Sequence, residues 1–298
     1  MSENNNKQSK RKQRNSRYIR YLLLVSAALW VLWPISIMVE EGFRVDIGPL
    51  FSGRGASFVG EFFQGQGGIK FSPIEYQKAL RIEAYPRLLV NSVIIAVSSV
   101  LVAILAGLPA GFTLALYKFR GKAFITYALL AMRTISPFAV LLPFFLIYGR
   151  LGLFDTYGGM AFVYLIINLP IITMMMRGFF KDIPKEIFEA AFMSGASDSY
   201  ILRKVALPLA LPGLAAAAVF AFVGTWNEFF YALFLTGAVT KTVSRGVWSG
   251  FSESIESFKI LEFDELNAGG TLAIIPAILL SLAVQRYLAR GVTLGAAE

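Results

Sequence analysis

Residues 189–213 read EAAFMSGASDSYILRKVALPLALPG. This polar, charged stretch lies between two long apolar runs, yet it carries the marks of regular structure. Asp182 and Pro184 precede it as a helix start, with an acid near the first turn and a proline where no backbone donor is needed. The segment KEIFEAAFMS is rich in helix formers and places Ile187, Phe188, Ala191 and Phe192 near one face. Gly195 suits the left-handed residue that ends a helix. Ser197 suits the cap of a second helix, DSYILRKVAL. Pro208 and Pro212 close that helix and redirect the chain into the next apolar run. The expectation is helix, tight turn, helix.

The surroundings say which solvent this unit meets. Of the 298 residues, 56% are hydrophobic and 16% charged. Soluble domains carry about 25% charged residues. The surplus apolar surface faces lipid, where about 20 apolar residues form one spanning helix. Six such runs are found, at 19–39, 88–117, 123–148, 158–180, 213–236 and 267–288. The first is longer than a signal-peptide core and no small-residue cleavage site follows it, so it reads as an uncleaved span. The expected fold is all-α: a polytopic membrane protein with six transmembrane helices and a cytoplasmic helix-turn-helix unit. Its parts are a disordered basic tail at 1–18, the first span at 19–39, an extracellular loop at 40–86 and a five-helix core at 87–290. The helix-turn-helix loop occupies 181–212, and a short C-terminal tail fills 291–298.

Orientation follows from the basic residues. The net charge is +9. Lys7, Lys10, Arg11, Lys12, Arg14, Arg17 and Arg20 crowd the first tail. Lys118, Arg120 and Lys122 lie between spans two and three, and Arg177, Lys181, Lys185, Arg203 and Lys204 between four and five. Arg286 and Arg290 follow span six. The alternate loops carry no such excess, so both termini and the 181–212 unit are expected in the cytoplasm of a multi-pass cell-membrane protein. The tail next to a span marks topology or meets anionic lipid; nucleic acid is not an expected partner.

The chain has no histidine and no cysteine. That removes disulfides, thiol nucleophiles, imidazole bases and the usual zinc sites. It also has no GxxxxGK[ST] phosphate loop, so ATP chemistry belongs to another chain. No catalytic residue and no metal site are assigned. An intramembrane enzyme is a poor fit to so few buried acids.

Polar residues inside the apolar runs are the remaining signals. A charge at the bilayer centre costs about 2.5–3.5 kcal/mol on insertion scales, so it has a partner or a wet cavity. Asn227 and Glu228 therefore either line or gate a path, or bond between helices to fix the bundle. Arg133 is a candidate partner, or it snorkels from a shallow position. Gly107 and Gly111 flank Pro109 as a small-xxx-small pair that seats another helix closely. In the 181–212 unit, Ala190 and Ala191 permit close approach, Glu189 supplies charge, and Phe188 and Phe192 are candidate anchors in a partner's groove. A pair of amphipathic helices resting on the bilayer surface accounts for the same pattern.

The combination of Glu189-Ala190-Ala191, Gly195 and Leu207-Pro208 resembles the EAA…G…LP loop of ATP-binding cassette importer permeases. TWNEFFYAL at 225–233 and QRYLARGVTLGAAE at 285–298 resemble segments of the carbohydrate-type permeases related to the maltose importer. Ser194 departs from the acid common before that glycine, and the tail ends in Ala-Ala-Glu where a basic residue is frequent. The resemblance covers most of 85–298. It implies that Glu189, Ala190, Ala191, Gly195, Leu207 and Pro208 form the coupling helix that docks on a cytoplasmic ATPase. It further implies a second homologous permease, two ATPase subunits that use ATP and Mg, an extracellular solute-binding protein facing loop 237–267, and a sugar or oligosaccharide as cargo. No cofactor is expected on this chain. The competing reading is an ion-coupled secondary transporter with Glu228 as the protonatable group, or the same importer class with a non-sugar polar solute.

Overall fold

A computed structural model describes residues 84–247 and 263–294, with residues 76–77 and scattered positions between 21 and 39. The tail 1–18, nearly all of 40–86 and residues 295–298 lie outside the described residues. The described residues are helical, with no strand among them. The elements are α1 Ala84–Leu116, α2 Lys122–Thr134, α3 Pro137–Leu151, α4 Tyr157–Lys181 and α5 Lys185–Met193. They continue with α6 Asp198–Leu209, α7 Leu211–Trp226, α8 Phe230–Leu235 and α9 Phe263–Leu294.

The chain divides into two compact units. One holds residues 1–81 and 258–272, where the described positions between 21 and 39 are helical and their side chains, such as Leu22, Leu29 and Trp33, are exposed and apolar. The other holds 82–257 and 273–298 and contains every candidate residue named above.

Two described helices, Tyr85–Leu116 and Tyr157–Lys181, are long and apolar enough to span a membrane singly. Two helix pairs are sharply bent, α2 with α3 at 94° and α6 with α7 at 82°, and counting each pair as one span would bring the number to four. The third apolar run, 123–148, is thus divided between two helices. Gly121 opens α2 with φ 91°, and Ile135 and Ser136 are extended before Pro137, which sits at the first helical positions of α3 where a missing N–H costs nothing. The sixth run, 267–288, lies within α9. The first is described only in part.

The second unit is built on α1 packed along α4. A methyl added at Gly107 would lie 3.0 Å from Ile172 Cγ2, and one at Gly111 would lie 2.9 Å from the Thr173 carbonyl oxygen. Without a Cβ at either place the two helices approach closely, and dispersion contacts replace the hydrophobic drive that lipid cannot supply. Two cores result. At one end Phe112 meets Phe180 and Phe188 edge to face at 5.6 and 6.2 Å, over Met176, Ile201 and Ala206. At the opposite end Tyr148, Met160, Tyr164, Tyr231 and Leu235 pack around Ile95. Prolines 109, 143 and 170 are accommodated inside long helices.

Candidate coupling unit and span-break site

The helix-turn-helix unit forms from local chemistry. Pro184, not Asp182, stands at the N-cap of α5, while Asp182 caps the preceding α4. The end of α5 is a Schellman motif: the Gly195 N–H donates to the Phe192 carbonyl at 2.9 Å and the Ala196 N–H to that of Ala191 at 3.2 Å. Gly195 has φ 77°, which a side chain rarely tolerates. The Ser197 hydroxyl accepts from the Tyr200 N–H and starts α6. That helix runs through a π-type segment, Ile201–Ala206, and past Pro208 to Leu209. The chain turns at Ala210, so Pro208 does not close the helix as expected.

Burial sorts the candidate residues of this unit. Phe188 is 4% exposed and belongs to the protein's own aromatic cluster, so it anchors α5 inward instead of offering itself to a partner. Glu189 and Ala190 are exposed, Ala191 and Leu207 half-buried, and Pro208 exposed. Met193 is 89% exposed and Phe192 40%. Met193 was not singled out from the sequence, because helical periodicity alone does not tell which apolar residues the protein covers itself. The Tyr117 hydroxyl donates to Asp198 at 2.7 Å and ties the end of α1 to α6. Burial, then the hydrogen bond to Asp198 and its charge, push the Tyr117 phenol up to about 12.

The fifth apolar run is also broken. α7 stops at Trp226 and α8 starts at Phe230, leaving Asn227, Glu228 and Phe229 between them. The Glu228 carboxylate accepts from the Tyr164 hydroxyl at 2.7 Å, the Tyr231 N–H at 3.1 Å and the Ala232 N–H at 3.3 Å. It therefore satisfies amides at the start of α8 that have no intrahelical partner, and its charge complements the helix dipole. Arg133 is exposed and is not among these partners. Beside the break, Asn168 donates to Thr225 at 2.8 Å, and the Trp226 indole N–H donates to the Ala273 carbonyl at 2.9 Å. Asn227 is exposed, its backbone N–H bonded to Val223.

A polar assembly that the sequence did not reveal lies next to this break. Asp155, in the turn between α3 and α4, adopts φ 54°. Its carboxylate accepts from the N–H groups of Gly237 at 2.7 Å, Val239 at 3.0 Å and Thr240 at 2.8 Å, and from the Thr240 hydroxyl at 2.7 Å. Desolvation pushes its pKa up, but the bonds from Val239, Thr240 and Gly237 outweigh it and hold the carboxyl below its usual value. The carbonyls of the same segment are taken from the other side. Asn91 Nδ2 donates to Val239 and Lys241, and Arg245 to Thr236 and Gly237. Tyr157 orients Asn91 by donating to its Oδ1 at 2.6 Å, and the Val243 N–H donates to Ser92. Asn91 and Asn168 were not singled out from the sequence, although an amide inside an apolar run is a signal that could have found them; nothing in the sequence pairs Asp155 with 237–240.

Sequence comparisons show the family, and solved structures share the fold. Residues 103–294 match the family of the binding-protein-dependent transport system inner membrane component. The chain is 32% identical over 226 residues to the trehalose transport system permease protein SugB of Mycobacterium tuberculosis, covering 75% of this chain and 81% of that protein. It is 29% identical over 286 residues to the diacetylchitobiose uptake system permease protein NgcG of Streptomyces coelicolor, covering 93% and 89%. Among solved structures it is similar to a chain of a bacterial ABC transporter involved in import of the acidic polysaccharide alginate. That match has TM-score 0.71 and 24% identity, over 93% of this chain and 98% of that one. A chain of the inward-facing MetNI methionine ABC transporter matches with TM-score 0.53 and 20% identity, over 70% and 96%. The chain belongs to the binding-protein-dependent inner membrane component family and is a permease of the ATP-binding cassette importer class, multi-pass in the plasma membrane.

Proposed function

We propose that this chain is one of a pair of permease subunits that form the path for a sugar or oligosaccharide, and that α5, its turn and α6 are its docking unit for a cytoplasmic ATPase. The cargo class rests on the relatives, whose names are those of diacetylchitobiose, trehalose and alpha-glucoside permeases. The observation that carries the docking assignment is the division of labour in α5. Phe188 is locked into the core while the next two residues, Glu189 and Ala190, and the neighbouring Met193 stand free. Motion imposed on that surface passes through Phe188 to Phe112 and Phe180, the ends of α1 and α4.

In the resulting cycle the ATPase pair closes on ATP and Mg held by those partner subunits. The docked unit moves with it, the path opens outward to a binding protein near loop 237–267, and hydrolysis returns the path inward. Both termini face the cytoplasm in this reading. Glu228 caps α8 and fixes the break in span five, while the exposed Asn227 beside it faces the path. The test is copurification from native membranes of wild type against Glu189→Arg, an exposed substitution that spares Phe188 and Gly195. An ATPase subunit is expected with wild type and lost from the variant. Equal recovery with the variant would sink the docking assignment.

A further inference from the structure

The turn at 237–240 is gripped by both of its polarities. Asp155 collects three amides and one hydroxyl, whereas Arg245 and Asn91 collect the carbonyls of Thr236, Gly237, Val239 and Lys241. The fit leaves no spare room: a Cβ at Gly237 would stand 2.5 Å from Asp155 Oδ2. Asp155 holds a left-handed conformation to reach the turn, and its own N–H donates to the Leu235 carbonyl at the end of α8. Such backbone strain persists only where the surroundings over-determine it, and it concentrates at functional sites.

The grip continues into the span break. Ser244 donates to the Glu228 carbonyl at 2.7 Å, and the Glu228 carboxylate caps α8. An unbroken set of hydrogen bonds therefore runs from the α3–α4 turn through the base of loop 237–267 to the interruption in span five. We propose that Asp155 is a positioning residue for transport, clamping 237–240 so that the loop base, the α3–α4 turn and α8 move as one body. This rests on the transport reading above, in which loop 237–267 receives the loaded binding protein. A loop tethered loosely at its base would move without the spans, and docking would not be transmitted to the path.

The absence of cysteine makes a direct test available without a background of native thiols. The first arm uses Val239→Cys, 63% exposed, carrying a spin label, alone and with Asp155→Gly or Asp155→Asn. Glycine accepts the left-handed backbone but removes the carboxylate; asparagine also accepts it and keeps one acceptor oxygen. Label mobility is expected to rise in the order wild type, Asn, Gly. If only the backbone conformation mattered, the glycine variant would match wild type, and that result overturns the proposal. This arm needs no partner protein, so it decides the clamp even if no ATPase or binding protein is found.

The second arm uses the assembled transporter in proteoliposomes and titrates binding protein. Asp155→Gly is expected to lower the maximal rate about tenfold, with a change of less than about twofold in the half-saturating concentration, since charge-assisted bonds of this kind are worth roughly that factor and the loss falls on transmission, not on docking. An unchanged maximal rate, or a loss confined to the half-saturation point, overturns the positioning role. In the third arm Phe154→Cys and Val239→Cys are joined by a short thiol-reactive bridge with Asp155 intact. Transport is expected to persist above about half of the unbridged rate, and near-complete arrest would show that the two segments separate during the cycle.

Discussion

Gly111→Ala probes the contact on which the second unit is built. The added Cβ would lie 2.9 Å from the Thr173 carbonyl oxygen, 3.0 Å from Met176 Cβ and 3.1 Å from the Arg177 backbone nitrogen. Two of those atoms are α4 backbone, so no rotamer change relieves the clash and the helices must separate by a few tenths of an ångström. Overpacking of this kind costs about 1–3 kcal/mol. Against it stands the gain of about 0.5–1 kcal/mol from replacing a helix-interior glycine by alanine. The clash term is the larger, for a net loss of about 0–2.5 kcal/mol, centred near 1. Gly149→Ala in α3 is the matched control, because nothing lies within 4 Å of its added Cβ and its φ is not positive. There only the propensity term acts, for a gain of about 0.5–1 kcal/mol. Denaturant titration or thermal inactivation of the purified protein should therefore place the two alanine variants on opposite sides of wild type. Finding Gly111→Ala as stable as Gly149→Ala would refute the reasoning that backbone proximity, and not side-chain chemistry, sets the α1–α4 spacing.

Phe188→Ala should cost about 3–5 kcal/mol because it empties the aromatic cluster, whereas Phe192→Ala, at 40% exposure, should leave stability near wild type and weaken ATPase copurification. The reverse order, read by thermal inactivation and pull-down, would contradict the inward anchoring of Phe188. Glu228→Ala strips the cap from α8 and the partner from Tyr164, for a loss of about 1.5–3 kcal/mol. Glu228→Gln keeps one acceptor oxygen for the α8 amides and should retain most transport; complete loss in the glutamine variant would point instead to a protonation role. The Tyr117–Asp198 bond has a pH signature. Burial and the Asp198 bond push the Tyr117 phenol up to about 12 from its ordinary 10, so the bond's contribution is complete below pH 10 and is lost as pH rises through about 12. Phenolate absorbance of wild type minus Tyr117→Phe should show this late titration, and a difference curve centred at 10 would be inconsistent with the bond.

The sequence alone determined the class of fold. Apolar runs of spanning length, the excess of hydrophobic over charged residues and the turn chemistry around Gly195 are properties of short windows. Caps, left-handed glycines and helical periodicity act over a few residues, and so can be read without the partners. Tertiary structure decided what those windows could not. It turned Phe188 inward, carried α6 past Pro208, and bent the third run by 94° at 135–136. It also joined residues far apart in the chain: Asp155 to 237–240, Tyr164 to Glu228, Asn168 to Thr225. In an apolar solvent each such polar group must find a partner wherever the packing of α1 against α4 brings one. Which partner it finds depends on where the helices come to rest, and local residue spacing carries no record of that.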